Sequence, residues 1–205
     1  MVRASGTTMA EAPTAPSDEQ LVARSVGGDV GAFNELVVRW EGPLYKFIYR
    51  YLGDPEEARD ICQEAFLRAY SNLSRFRSEA TFSSWLFQIA LNQCRSQFRR
   101  KQSRPTVALE DDDNQHQLRL VQDSAEAPDL SAMGRQRSSA LKAAIAKLPE
   151  AQREVIILKQ YHGLKFREIA EVLGTPESTV KSRLYHGFES LAKSLGHLKT
   201  EGLEL

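Results

Sequence analysis

Apolar residues along this chain recur at the three-and-four spacing of a helix face, and they nowhere alternate for the length of a half-buried strand. The first run follows Ser17, whose spacing from Gln20 has the capping-box pattern of a helix start. Leu44, Phe47, Ile48, Tyr51 and Leu52 form the next clear face, which Gly53 stops. Asp54-Pro55-Glu56-Glu57 then restarts a helix. Asp54 is its expected N-cap, Pro55 fills the first helical position and Glu57 stands where it would close a capping box. Ala58, Ile61, Cys62, Ala65 and Ala69 are the expected buried stripe. Beyond a loop near Ser74 to Ala80, Phe82, Trp85, Leu86, Ile89 and Ala90 predict a helix running toward Arg100. The fold class is all-α.

The pattern breaks twice. Residues 1–16 are small, proline-containing and aperiodic, so they are expected to be a disordered extension. Residues 101–135 carry seven acidic side chains against four basic ones, including the run Glu110 to Asp113, and read as an irregular linker. Periodicity returns at Leu141, Ala144, Ile145 and Leu148. The expected organisation is two small helical domains, 17–100 and 136–196, with a tail at 197–205.

Phe166, Ile169, Ala170 and Leu173 line one face of a short helix, and Gly174 follows where a left-handed C-cap residue belongs. Thr175-Pro176-Glu177 supplies a new start, and Val180, Leu184, Phe188 and Leu191 are the expected buried face of the second helix. Two short helices about a tight glycine turn make a helix-turn-helix. The residues left outside are Ser178, Thr179, Lys181, Ser182, Arg183, Tyr185 and His186. Hydroxyls and cations at the N-terminal half of a helix suit phosphates and base edges in a major groove. A plain solvated face is the alternative that spacing alone leaves open.

Composition narrows the function. No apolar run approaches the roughly 18 residues of a membrane span, and the N-terminus lacks the basic-then-apolar pattern of a secretory signal. The cytoplasm is the expected compartment, without direct membrane contact. Cys62 and Cys94 belong to no metal-spacing cluster, and each falls on the apolar side of a predicted helix. Four scattered histidines, with no glycine-rich phosphate loop and no nucleophile elbow, argue against catalysis. No catalytic residue, metal or cofactor is expected. The net charge is zero, from 27 basic and 27 acidic residues, which favours weak DNA affinity for the isolated chain.

One local asymmetry matters. Arg95, Arg99, Arg100, Lys101 and Arg104 follow a polar turn flanked by aromatics, with no acid among them. Cations for the backbone beside aromatics for bases are what single-stranded nucleic acid uses. Phe82 and Trp85 themselves fall on the helical stripe and read as core.

Four stretches now carry a family resemblance: AFNELVVRW at 32–40, DICQEAFLRAY at 60–70, FRSEATFSSWLFQIALNQCRSQFRR at 76–100, and LPEAQREVIILKQYHGLKFREIAEVLGTPESTVKSRL at 148–184. In this order, with the linker between the third and fourth, they resemble the extracytoplasmic-function (ECF) group of sigma-70 family sigma factors. With the spacing between them they cover almost everything from 17 to 195. The resemblance implies a region 2 domain whose Asp60, Gln63, Glu64 and Phe66 meet core RNA polymerase. It implies that Phe76, Arg77, Ser78, Ala80 and Thr81, with Asn92, hold an extruded base of the single-stranded −10 element. Arg95, Arg99 and Arg100 would hold its phosphates. A flipped base is read by hydrogen bonds to its pairing edge, and an amide such as that of Asn92 offers both donor and acceptor. The resemblance further implies a region 4 domain reading duplex −35 DNA through Ser178, Thr179, Lys181, Ser182, Arg183, Tyr185 and His186. His186 stands where relatives often carry arginine. An anti-sigma factor is the further partner it implies. The acidic linker would either mimic phosphates in the polymerase channel or serve as a solvated tether. A stand-alone helix-turn-helix regulator that never joins polymerase is the rival reading; it leaves the 60–104 constellation unexplained.

Overall fold

A computed structural model describes residues 15–76, 80–103 and 132–200, with side chains left out at 101–103, 132–138 and 197–200. The sequence expectations for the N-terminal extension before residue 15 and for the acidic run 110–113 lie outside the described residues. All regular structure among the described residues is helical: α1 Asp18–Val26, α2 Val30–Leu52, α3 Pro55–Asn72, α4 Phe82–Ser103, α5 Ala132–Ala146, α6 Glu150–Ile156, α7 Phe166–Leu173 and α8 Glu177–Thr200. A 3₁₀ turn at Leu73–Arg75 ends α3, and a π-helical turn at Ile157–Tyr161 extends α6. The all-α expectation holds. At its edges, α5 starts at Ala132, inside the stretch read as linker, and α8 continues to Thr200, into the stretch read as a tail.

Local chemistry sets the boundaries. Ser17 and Gln20 form the complete capping box ahead of α1. The Asp54 carboxylate takes the N–H groups of Glu56 and Glu57 ahead of α3, with Pro55 in the first turn. Glu57 does not reach back to complete a box. Its Oε1 instead accepts from Gln97 of α4 at 3.3 Å. Gly174 sits at φ 62°, ψ 37°, the left-handed C-cap that lets the chain turn sharply between α7 and α8.

Helices α1 to α4 bury Leu21, Leu36, Leu44, Phe47, Ile48, Phe82, Leu86 and Leu91 completely, together with Ala58, Ala65 and Ala69 from α3. Helices α5 to α8 gather around Val155, Ile156, Ile157, Ile169, Val172 and Val180. On α8 the buried face is Val180, Leu184, Gly187 and Leu191. Phe188, expected on that face, is 43% exposed. The reason is the helix crossing: a Cβ on Gly187 would stand 2.7 Å from Ile156 Cδ1, so a larger residue fits between α8 and α6 only if the Ile156 side chain shifts. With position 187 facing inward, 188 turns out.

The two helical groups pack on one another through α4 with α7 and α2 with the π-helical turn. The His162 ring sits edge-on to Phe47 at 5.7 Å and tilted against Phe87 at 5.2 Å. Arg50 lies over the Tyr161 ring at 4.3 Å. Burial, reinforced by the nearby Arg50 and Lys46 cations, pushes His162 down to about 4.

Two outcomes are expected. Gly187→Val should cost roughly 1–3 kcal/mol in urea unfolding by overpacking, and adding Ile156→Val, which deletes the obstructing methyl, should recover part of that loss. His162 holds its proton more weakly folded than unfolded, so its penalty is absent above pH 6.5, the ordinary value, and grows as the pH falls toward 4. His162→Phe should therefore gain about 1–2 kcal/mol relative to the parent between pH 7 and pH 5, read as the difference between paired unfolding curves.

Candidate nucleic-acid and partner interfaces

The outward side of α8 follows from its inward one. Ser178, Lys181, Ser182, Tyr185 and His186 are all exposed at helical spacing, and Thr179 and Arg183 flank them half-buried. Tyr185 is 70% exposed, with its ring edge-on to His186 at 5.8 Å. Lys181 Nζ is 3.7 Å from Glu177 and 5.5 Å above the Phe166 ring. His186 Nδ1 is 3.7 Å from Glu189. Exposed pairs of this kind are worth roughly 0–1 kcal/mol, so these groups are readily surrendered to a phosphate. The stripe presents hydroxyls, a cation and an aromatic edge near a helix N-terminus, where the helix dipole favours anions.

On α4 the first residues are held by Thr81. Its Oγ1 accepts from the Ser84 N–H at 3.2 Å, donates to Ser84 Oγ at 2.9 Å and lies 3.1 Å from Ser83 Oγ. Phe76 packs against Trp85 at 5.2 Å and Phe82 at 6.2 Å, so aromatic contact pins both ends of the turn that enters α4. Phe76, Ala80 and Thr81 are half-buried; Arg77 and Ser78 lie outside the described residues. Asn92 is exposed, as are Arg99 and Arg100. The Asn92 side chain is thus on the surface.

Arg95 departs from the expected strip. Its Nε and Nη2 donate to Oε1 and Oε2 of Glu154 on α6 at 2.8 and 2.7 Å. Glu154 is 1% exposed and takes a further bond from the Tyr51 hydroxyl at 3.3 Å, while Tyr51 also donates to Glu150 at 2.5 Å. Arg153, 7% exposed, lies over Tyr51 at 5.1 Å and Phe98 at 5.2 Å and donates to the Ala146 carbonyl. The Glu154 carboxylate holds Arg95 protonated even more firmly than usual. Burial, then the Glu150 bond, raises the Tyr51 phenol far above its ordinary range. No sequence pattern marks this cluster, because its partners come from three helices separated by 59 to 103 residues of chain.

On α3, Asp60, Gln63 and Glu64 are exposed, and Glu64 pairs with Arg68 at 2.7 Å. Phe66 is a correction to the expected contact face. It is 7% exposed, its ring turned into the core with Ala65 and Ala69. The apolar residue that shares the exposed face is Leu67, 63% exposed, near Tyr70 at 49%. Helical spacing carried that signal, since Leu67 is four residues beyond Gln63 and off the buried stripe. Elsewhere the cysteines are inert: burial pushes Cys62 up to about 12 and Cys94 higher still. Among the described residues no His, Cys, Asp and Glu set converges as a metal site, and no helix is long and apolar enough to cross a membrane.

These surfaces fall within two matched family regions. Residues 36–104 match Sigma-70 region 2, and residues 138–191 match Sigma-70, region 4. The chain belongs to the sigma-70 family, in its ECF group. It is 32% identical over 194 residues to the RNA polymerase sigma-H factor of Pseudomonas aeruginosa, covering 92% of this chain and 98% of that one. It is 36% identical over 173 residues to the ECF sigma factor SigW of Bacillus subtilis, covering 83% and 92%. Its fold resembles CnrH, solved with the cytosolic domain of CnrY, at a TM-score of 0.67, 24% identity and coverage of 89% and 99%. RpoE of Bartonella quintana, solved with the anti-sigma factor NepR, is similar at a TM-score of 0.62 and 23% identity, covering 82% and 98%. Within this sigma factor, the α3 and α4 surfaces belong to region 2 and the α8 stripe to region 4.

Proposed function

We propose that this ECF sigma factor joins core RNA polymerase, directs it to selected promoters and helps to melt the −10 element, while the polymerase performs the chemistry. The observation that carries the reading is that one chain, matched to both sigma regions, exposes a hydroxyl-and-cation stripe on α8 and the side chains of Asn92, Arg99 and Arg100 on α4. Residues 17–100 would then bind polymerase and the −10 strand, and 136–196 the duplex −35 element, with 101–135 as the tether.

On α3, Asp60, Gln63 and Glu64 face a cationic or hydrogen-bonding patch of polymerase, with Leu67 adding apolar area and Phe66 supporting the helix from beneath. Ahead of α4, Phe76, Arg77, Ser78, Ala80 and Thr81 would contact one unpaired base. The Asn92 amide reads its pairing edge, and Arg99 and Arg100 hold adjacent phosphates. On α8, Lys181 and Arg183 serve phosphates or guanine edges, while Ser178, Thr179, Ser182, Tyr185 and His186 complete the groove contact. The protein works in the cytoplasm, is not itself an enzyme, uses no cofactor, and is held in check by an anti-sigma factor. A stand-alone regulator would have no use for the exposed α3 face or the turn into α4.

Run-off transcription with core polymerase over a random promoter library should yield one enriched pair of −35 and −10 motifs. Tight duplex binding by the isolated chain, with no co-migration with core enzyme, would contradict the proposal. Asn92→Ala should lower open-complex formation about tenfold or more, the effect of losing roughly 1–3 kcal/mol of base recognition, without changing co-migration. Asp60→Lys combined with Gln63→Ala should do the reverse, weakening co-migration while leaving the isolated chain folded by circular dichroism.

A further inference from the structure

Two lysines meet one aromatic ring at the entrance to the helix-turn-helix. Phe166, the first residue of α7, is half-buried and packs against the core. Lys159 Nζ stands 4.9 Å from its ring centroid and donates to the Leu164 carbonyl at 3.1 Å, two residues ahead of the ring. Lys181 Nζ stands 5.5 Å from the same centroid and 3.7 Å from Glu177 Oε2. The ring is thus fixed by packing and braced by a lysine already committed to a backbone carbonyl. Lys181 is exposed, with an aromatic face on one side of it and a carboxylate one turn back.

Its position says which part of a duplex Lys181 would meet. Side chains on a helix lean toward the helix N-terminus, and Lys181 leans back to Glu177 and to the start of α7. In a helix-turn-helix the second helix enters the major groove while the first crosses the sugar-phosphate backbone. A cation drawn toward the first helix therefore lies beside the groove wall and not down among base edges. Ser178, Ser182 and Tyr185 run along the neighbouring row of α8 at spacings of four and three, all exposed. A lysine stem is long and flexible, and its freedom is lost when it binds. A ring that holds the ammonium beforehand removes part of that loss and, unlike a carboxylate, leaves the positive charge available.

We propose that Phe166 is a positioning residue for promoter binding: its ring holds the Lys181 ammonium beside α7 and so assigns Lys181 to a backbone phosphate of the −35 duplex rather than to a base edge. The proposal rests on the −35 role of α8. On binding, the phosphate replaces Glu177 as the anion facing Lys181, while the ring keeps its place. That exchange costs little, because the Lys181–Glu177 pair is exposed on both sides. Lys181 then contributes grip without sequence preference.

The full chain joined to core polymerase can be tested by fluorescence anisotropy across a salt series. The probes are the duplex promoter enriched from the random library and its single-base −35 variants. Lys181→Ala should lower affinity for every variant by one common factor and make the slope of log affinity against log salt shallower by about 0.9. Phe166→Leu should lower affinity about two- to fivefold, again equally across the variants, the factor that a partly exposed cation–π contact supports. Phe166→Tyr keeps the ring and should bind as the parent does. In the Lys181→Ala background, Phe166→Leu should have no further effect, whereas a merely structural loss would lower affinity there as well. A Lys181→Ala effect confined to one base pair would overturn the phosphate assignment. Unchanged affinity in Phe166→Leu, or a loss that persists without Lys181, would overturn the positioning role. A parent holoenzyme that does not distinguish the enriched −35 element from a scrambled one would instead overturn the −35 reading, so the two failures are told apart.

Discussion

A carboxylate with almost no access to water must be neutralised where it sits, because the cost of stripping it of solvent is several kcal/mol unless charge and hydrogen bonds are supplied in place. Glu154 meets that requirement with the guanidinium of Arg95, 59 residues earlier in the chain, and the hydroxyl of Tyr51. The apolar parts of the same seam, His162 against Phe47 and Phe87, would tolerate sliding, since hydrophobic contact has no direction. A two-toothed ion pair does not tolerate it. The relation between the two helical groups is therefore directed by this charge pair together with the Tyr51–Glu150 and Gln88–Glu171 hydrogen bonds, with aromatic packing supplying area around them.

That arrangement explains how surfaces are shared out. Each helix spends one face on its own group, leaving α3, α4 and α8 with an outward face of different chemistry: acidic and amide-bearing on α3, amide and basic at Asn92, Arg99 and Arg100 on α4, hydroxyl and basic on α8. Only α4 is called on three times, for the region 2 core through Phe82, Leu86 and Leu91, for the seam through Arg95, and for the outer surface through Asn92. A helix has about 3.6 residues per turn, enough for three such faces on one element. Coupling between seam and surface along α4 then needs no relay beyond a single helical turn.

Much of this was legible before any coordinates. The capping box of Ser17 and Gln20, the Asp54 cap and the left-handed Gly174 are local devices, decided by residues within a few positions of one another. So was the polar stripe of α8, because helical periodicity assigns inward and outward positions together. Two misreadings are choices between neighbouring positions, one on α8 and one on α3. Phe188 is outside because Gly187 is needed inside, and Phe66 is inside with Leu67 outside. Apolar character alone does not choose between adjacent positions; the approach of a second helix does.

What the chain determined by itself was the kind and order of its elements, their ends, and the residue types each would present, since all of these follow from short-range sterics, hydrogen bonding and helical period. What only the tertiary structure decided was which distant charges meet. Arg95 belongs to a basic run in the sequence and to Glu154 in space, and Tyr51 reads as one more core aromatic until its hydroxyl is found between Glu150 and Glu154. Electrostatic partnership depends on separation through space and on the exclusion of water, and neither quantity exists until the helices have packed.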